Sequence, residues 1–226
     1  QRIKKNLQII IEAAQQRGDS LEHLLFYGNP GLGKTTLAQV VAHTMGGELK
    51  TCSAPTLEKT GDVASLLTNL EDGDILFMDE CHRLHKTVME TFYSAMEDFK
   101  LHIVMGRGPM ARTMELTLPR FTLIGATTRM ALLPAPFRNR FGATFQLNFY
   151  EPKDIADIVR RSAQILGIAV EDGAIEQIAQ RARYTPRVAN RILKRVRDYA
   201  TIEIGQAYIT KQTAEQAFSF LEIDEL

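Results

Sequence analysis

The 226-residue sequence has no tryptophan and only two cysteines, Cys52 and Cys81. Two thiols are too few for the disulfide framework on which small secreted domains depend. Also missing are an apolar run long enough to span a bilayer and an N-terminal stretch with signal-peptide character. The expected location is therefore cytoplasmic, with no membrane partner. Excess charge of either sign is absent too: Lys+Arg and Asp+Glu both number 27. No global positive field draws this stretch onto nucleic acid, so any such contact must come from local geometry or another segment. There is neither an internal repeat nor a low-complexity tract. What remains is 45% hydrophobic and 24% charged, enough to bury the core of one large domain or two modest ones. The start at Gln1 rather than Met, and an end at Leu226 just past a helical pattern, point to a piece of a longer protein.

The pattern changes character near Tyr150. Before it, short apolar runs at residues 24–27, 48–53, 74–79, 121–127 and 144–147 alternate with helical stretches. Such alternation predicts a parallel sheet covered by helices. Residues 101–118 interrupt the scheme, because two alternating runs flank Gly106, Gly108 and Pro109, as in a β-hairpin with a multi-residue loop. After Tyr150, Pro152 fits a first helical position and Ile155, Ile158, Val159, Ala163 and Leu166 follow at helical spacing up to Gly167. Thr185-Pro186 opens another helix and Thr210 caps a last one. The expected organisation is an α/β domain over residues 1–150, with a hairpin arm near 101–118, then a small all-helical domain over 151–226.

Gly28-Asn29-Pro30-Gly31-Leu32-Gly33-Lys34-Thr35 fits the P-loop pattern, directly after one apolar run and before a helical stretch ending at Met45. Glycines let successive backbone N–H groups turn inward around phosphate oxygens, and the following helix adds its positive end. Lys34 then reaches the terminal phosphates, and Thr35 supplies a hydroxyl for Mg²⁺. Further along, the apolar run Ile75-Leu76-Phe77-Met78 ends in Asp79-Glu80, the arrangement of a Walker B element. A buried strand thereby delivers two acids to its C-terminal edge, where open α/β sheets bind ligands. Asp79 is the expected Mg²⁺ partner, and Glu80 the group that orients and deprotonates the attacking water. Read alone, this strand could simply stop at two solvated acids.

Asp79-Glu80-Cys81-His82 also spells the box of DExH helicases, but no second ATP-facing domain with a Gln/Arg-rich motif follows residue 150. Gly125-Ala126-Thr127-Thr128 ends a strand where AAA+ proteins keep their first sensor, and Phe137-Arg138-Asn139-Arg140-Phe141-Gly142 resembles their arginine-finger box. Thr185-Pro186-Arg187 opens a helix as their second sensor does. These elements, with Leu67-Thr68-Asn69-Leu70, Ala95-Met96-Glu97-Asp98-Phe99, Ser162-Ala163-Gln164-Ile165-Leu166-Gly167 and Arg187-Val188-Ala189-Asn190-Arg191, resemble the RuvB family of AAA+ branch-migration motors across nearly the whole chain. The resemblance implies an AAA+ P-loop domain with a five-stranded parallel sheet and an inserted hairpin, followed by a helical lid. It implies ATP or ADP held by Gly28, Gly31, Leu32, Gly33, Lys34, Thr35 and Thr36, with Glu97, Asp98 and Phe99 nearby and Tyr150 and Arg187 closing over the nucleotide. Thr128 would sense the γ-phosphate and Arg140 would serve the adjacent subunit's ATP, in a homohexameric ring that drives Holliday-junction branch migration. The hairpin would dock on RuvA through Ile103, Val104, Met105, Met110 and Met114, and the RuvC resolvase would be a further partner.

Each of these residues also has a plainer reading. Arg140 could be a surface ion-pair arginine, the hairpin's apolar residues could pack on this chain's own core, and the basic face of Lys194, Arg195 and Arg197 could be solvated. Other AAA+ roles, such as a clamp-loader or protein-remodelling subunit, use the same site. The sequence departs from the family's wording at Asn29, Cys81, Asn139 and Tyr184, and Tyr184 stands where a glycine is expected. The family's winged-helix DNA-gripping domain, and a short segment that helps cover adenine, fall outside these residues.

Overall fold

The structure, a computed structural model, describes residues 2–105 and 112–223. It divides into two compact units, Gln1–Gly28 with Lys34–Leu147, and Asn29–Gly33 with Asn148–Leu226. The first unit runs α1 (Arg2–Arg17), β1 (Leu24–Tyr27), α2 (Lys34–Met45), β2 (Leu49–Ser53), α3 (Thr60–Thr68), β3 (Ile75–Asp79) and α4 (Lys86–Glu97). It continues with β4 (Lys100–Met105), β5 (Arg112–Thr117), β6 (Thr122–Thr127), α5 (Ala135–Arg138) and β7 (Ala143–Gln146). Five strands form one sheet in the order β2-β3-β6-β1-β7, and every neighbouring pair is parallel. The hydropathy of each strand follows from its place. The central strands β3, β6 and β1 are buried almost throughout, because helices cover both faces of a parallel sheet. The edge strands β2 and β7 are only partly buried, and their sequences carry lysine, threonine and glutamine to match.

One side of the sheet packs α3 and α4 through Val63, Leu67, Val88, Phe92 and Ala95 against Leu76, Met78 and Leu123. Beneath that core lies His23, which is buried and bridges two elements: its Nε2 is 3.0 Å from the Met96 carbonyl oxygen, and its Nδ1 accepts the Leu123 N–H at 2.9 Å. Burial lowers its pKa below the ordinary histidine value, opposed by the Met96 bond, and a neutral ring suits one donor and one acceptor contact. The start of β3 is held by a 2.8 Å ion pair between Asp74 and Lys50 of β2. Burial alone would raise the Asp74 pKa, but Lys50 and backbone N–H donors pull it below the usual carboxylate range.

The inserted hairpin is present, with β4 and β5 antiparallel and Leu101 opposite Leu116. At its base Leu101 and Leu118 are buried, whereas further out Met114 is exposed and Ile103 half-buried. The arm therefore contributes its root to the core and leaves part of its apolar length outside it. The loop residues Gly106, Gly108, Pro109 and Met110 lie outside the described residues, as do the side chains of Val104 and Met105.

The second unit carries α6 (Pro152–Ile165), α7 (Asp172–Gln180), α8 (Pro186–Tyr199) and α9 (Lys211–Phe220). Its core is the helical stripe of Ile155, Val159, Ile175, Ile178, Ile192, Leu193, Val196, Ala214 and Phe218. Pro152 and Pro186 occupy the first turns of α6 and α8, where the missing N–H is no loss. At the start of α9, Thr210 Oγ1 accepts the Thr213 N–H at 3.1 Å. Beyond the expected α6, α8 and α9, the unit adds α7 and a short parallel ladder, β8 (Ala169–Val170) with β9 (Tyr208–Ile209).

Candidate nucleotide site

Three central strands of the first unit end side by side. Because β3, β6 and β1 are adjacent and parallel, their C-terminal ends bring Asp79-Glu80, Thr127-Thr128 and Tyr27-Gly28 to one edge of the sheet. Gly28 has φ +149 and a Cβ there would collide with the Leu147 carbonyl oxygen, so only glycine lets the chain leave β1 along this path. Gly28 N–H donates to the Thr127 carbonyl at 3.2 Å, tying the loop's start to the neighbouring strand. Lys34, first residue of α2, is buried, and its Nζ donates to the Gly28 carbonyl at 2.9 Å. That bond closes the loop on itself and holds the ammonium at its mouth. Thr35 and Thr36 follow as exposed residues in the first turn of α2, where free N–H groups and the helix dipole favour anions.

On β3, Asp79 Oδ1 accepts the Glu80 N–H at 2.9 Å. Glu80 lies in the left-handed region at φ 52, ψ 38, a conformation that costs an L-residue about 1–2 kcal/mol and is held only where the surroundings demand it. Thr128 Oγ1 is 3.5 Å from Glu80 Oε2. The two residues expected to act on the water and the γ-phosphate are thus within reach of each other. Cys81 turns the other way into the core and is fully buried, with burial pushing its thiol pKa up to about 12.

Arg140 follows α5 and folds back on its own unit. Its Nη2 is 3.0 Å from Glu97 Oε2, its Nη1 donates to the Pro136 carbonyl at 2.6 Å, and its guanidinium lies 4.1 Å above the Tyr93 ring. Glu97 is therefore a direct partner of Arg140, a pairing across the fold that no local pattern announced. Asp98 is exposed at the C-terminus of α4. Phe99, at φ 53, meets Phe121 edge-on at 5.8 Å and has Arg120 over its face at 5.4 Å.

The crest of the P-loop, Asn29–Gly33, belongs to the second unit. Arg187 N–H donates to the Gly31 carbonyl at 3.4 Å, and a Cβ on Gly31, where φ is +82, would come 3.1 Å from the Arg187 Cβ. The Tyr150 hydroxyl donates to the Leu32 carbonyl at 3.3 Å, and burial first, then Asp154, raises its pKa, so it stays a donor at neutral pH. Leu32 itself is buried. Tyr150 and Arg187, expected from sequence to face the nucleotide, thus meet at the phosphate-loop crest. Arg187 keeps its side chain exposed.

Residues 1–147 match the family described as the Holliday junction DNA helicase RuvB P-loop domain, and residues 150–224 the RuvB AAA lid domain. The chain belongs to the RuvB family. It is 54% identical over 225 residues to a Holliday junction branch migration complex subunit RuvB of Dehalococcoides mccartyi, and 51% identical over 226 residues to that of Rubrobacter xylanophilus. All of this chain is covered, against 64% and 63% of those relatives, so it spans just under two thirds of their length. Among solved structures, the Thermotoga maritima RuvB branch-migration motor superposes with TM-score 0.87, and a proline-to-glycine mutant of the same motor with 0.90. Each is 43% identical, over 99% of this chain and 70% of the other. The FIGL-1 AAA domain, 19% identical with TM-score 0.72, shares the fold.

Within the RuvB pattern Tyr184 stands where a glycine is expected, and the backbone explains that preference. Tyr184 has φ 57 and Arg183 before it φ 48, so a bulky residue occupies a left-handed position that glycine enters freely. Its ring meets Phe149 edge-on at 6.4 Å. Tyr184→Gly and Tyr184→Ala both lose that contact, but only alanine keeps the strain. Gly is expected to be more stable than Ala here by about 1 kcal/mol, the reverse of the usual order. Denaturant unfolding of the two variants checks this, and alanine equal or better would show that the position carries no strain.

Proposed function

We propose that this chain is the ATPase core of a RuvB-type ring motor, hydrolysing ATP to drive branch migration of four-way DNA junctions. The observation that carries the reading is the convergence of Asp79, Glu80 and Thr128 at the ends of adjacent strands, with Lys34 held on Gly28 where β1 ends, in a RuvB-family chain. Gly28, Gly31, Leu32, Gly33, Lys34, Thr35 and Thr36 bind the phosphates of ATP or ADP. Left-handed φ values at Gly31 and Gly33 support such a cradle, since they turn backbone N–H groups to one side. Thr35 and Asp79 supply the hard oxygen ligands that suit Mg²⁺, which when bound neutralises phosphate charge. Glu80 takes a proton from the attacking water, Thr128 contacts the γ-phosphate, and Arg187 and Tyr150 order the loop crest. Glu97, Asp98 and Phe99 contribute close to the nucleotide, and Arg140, paired with Glu97, serves the adjacent subunit's ATP. The assembly is a homohexamer in the cytoplasm, docked on RuvA through residues 101–118, acting on Holliday-junction DNA and working with RuvC. Among the described residues no helix is long and apolar enough to cross a membrane.

The full-length protein with RuvA is expected to move a synthetic four-way junction in an ATP-dependent manner. Shortening the hairpin beyond its buried root, so that Leu101 and Leu118 stay in place, is expected to remove RuvA dependence while sparing basal ATPase. Turnover without junction movement, with RuvA bound, would replace this reading by another AAA+ role such as clamp loading or protein remodelling.

A further inference from the structure

His82 takes no part in the chemistry described so far, yet its side chain is largely enclosed beside Glu80 and has a partner at each ring nitrogen. Its side chain is only 6% exposed, and its Nε2 lies 3.2 Å from Glu80 Oε2. Its Nδ1 lies 2.9 Å from Thr127 Oγ1. Thr127 is itself buried at the end of β6, and its Oγ1 already accepts the Arg129 N–H at 3.0 Å.

Proton accounting fixes the rest. An ionised Glu80 carboxylate can only accept, so the Nε2 that faces it carries the ring's hydrogen, and in a neutral ring Nδ1 is then the acceptor for the Thr127 hydroxyl 2.9 Å away. The neutral ring this requires is favoured: burial lowers the His82 pKa, Arg129 and Arg83 lower it further, and Glu80 and Asp79 oppose them. We propose that His82 is a positioning residue for Glu80, gripping its carboxylate through Nε2–H while Thr127 locks the ring's tautomer through Nδ1.

Glu80 needs such a restraint because its left-handed backbone sets only where the side chain begins. His82 fixes where it ends. With Nε2–H and the Thr128 hydroxyl both on Oε2, Oε1 is left to take the proton. One water O–H bond breaks, its hydrogen goes to Oε1, the oxygen bonds to the γ-phosphorus, and ADP carries away the electron pair of the broken P–O bond. The chain Glu80–His82–Thr127 also ties the acid to the strand that bears Thr128, so a shift at the end of β6 re-aims the base. This inference rests on reading Glu80 as that base.

Two amides separate the contacts. In His82→Gln the amide nitrogen reaches the place of Nε2 and can donate to Glu80, whereas in His82→Asn the shorter amide keeps only the Thr127 side. In the full-length protein His82→Asn is expected to lose about 10²-fold in kcat, the cost of a misplaced catalytic group, with the KM for ATP little changed. His82→Gln is expected to regain most of that loss. Gln no better than Asn, or Asn as active as the parent, would overturn the proposal. Ring ¹⁵N shifts give a test that needs no turnover: the Nε2–H tautomer is expected, and Nδ1–H would overturn it. A parent without ATPase, by contrast, would sink the reading of Glu80 as base, whatever the tautomer.

Discussion

Glu80→Gln is expected to lower ATP turnover by about 10²- to 10⁴-fold, the usual worth of a positioned general base, while ATP affinity stays near the parental value. The amide is the same size as the carboxylate and still offers an oxygen to His82 Nε2–H and the Thr128 hydroxyl, so the hydrogen bonds around Glu80 need not collapse. What the amide lacks is a lone pair basic enough to take the water's proton. In the proposed reading, binding rests on other groups, the P-loop backbone and Lys34, whose ammonium donates to the Gly28 carbonyl. Nucleotide titration and steady-state ATPase on the same preparation separate the two effects. Parental turnover in the variant would remove Glu80 from the chemistry, and lost binding would mean that its role is structural. A loss in kcat alone is the signature of an interaction made only in the transition state.

Much of this site could be read from the chain because its parts are contiguous. The P-loop is a single run, and its context of strand before and helix after is local. The strands β1, β3 and β6 announced themselves as largely apolar runs for a physical reason, since the middle of a parallel sheet is covered on both faces. The ladder of β8 and β9 escaped for the opposite reason: with two residues in each strand there is no period to detect. More important, the pairings that organise the site join residues far apart in sequence. Glu97 and Arg140 are separated by 43 positions, and His82 and Thr127 by 45. Nothing in the local composition couples them, because the coupling is made by strand order. Once β6 inserts beside β3, the residues at the two strand ends must share a carboxylate. Tyr184 is an intermediate case: the substitution was visible in the sequence, but its cost became physical only with a φ of 57.

Strand order likewise cannot bring Arg140 to the nucleotide of its own protomer if its task is in the next one, and here it is docked at home, on Glu97, Pro136 and Tyr93. That docking is weak enough to give up. Glu97 is more than half exposed, so the ion pair is worth no more than about 1 kcal/mol. The stacking on Tyr93 adds a similar amount. Against this, an arginine placed on a phosphoryl-transfer transition state is worth about 10³- to 10⁵-fold in rate, or about 4–7 kcal/mol. In the proposed reading, giving up Glu97 and Tyr93 therefore costs less than the transition-state stabilisation gained at a neighbour's phosphate, so most of the rate contribution survives the exchange.

Arg140→Ala is accordingly expected to cut ATPase by about 10³-fold or more without weakening nucleotide binding, and Lys34→Ala to remove turnover by disabling the subunit's own P-loop. Mixing the two inactive variants makes the decisive measurement. Wherever a subunit with an intact Arg140 sits against a subunit with an intact Lys34, one sound site is rebuilt, so mixed rings should regain a fraction of parental turnover that rises and falls with the mixing ratio. No recovery, with mixed rings demonstrated by native mass spectrometry, would mean that Arg140 works within its own protomer, and that its place on Glu97 is a structural ion pair rather than a resting position.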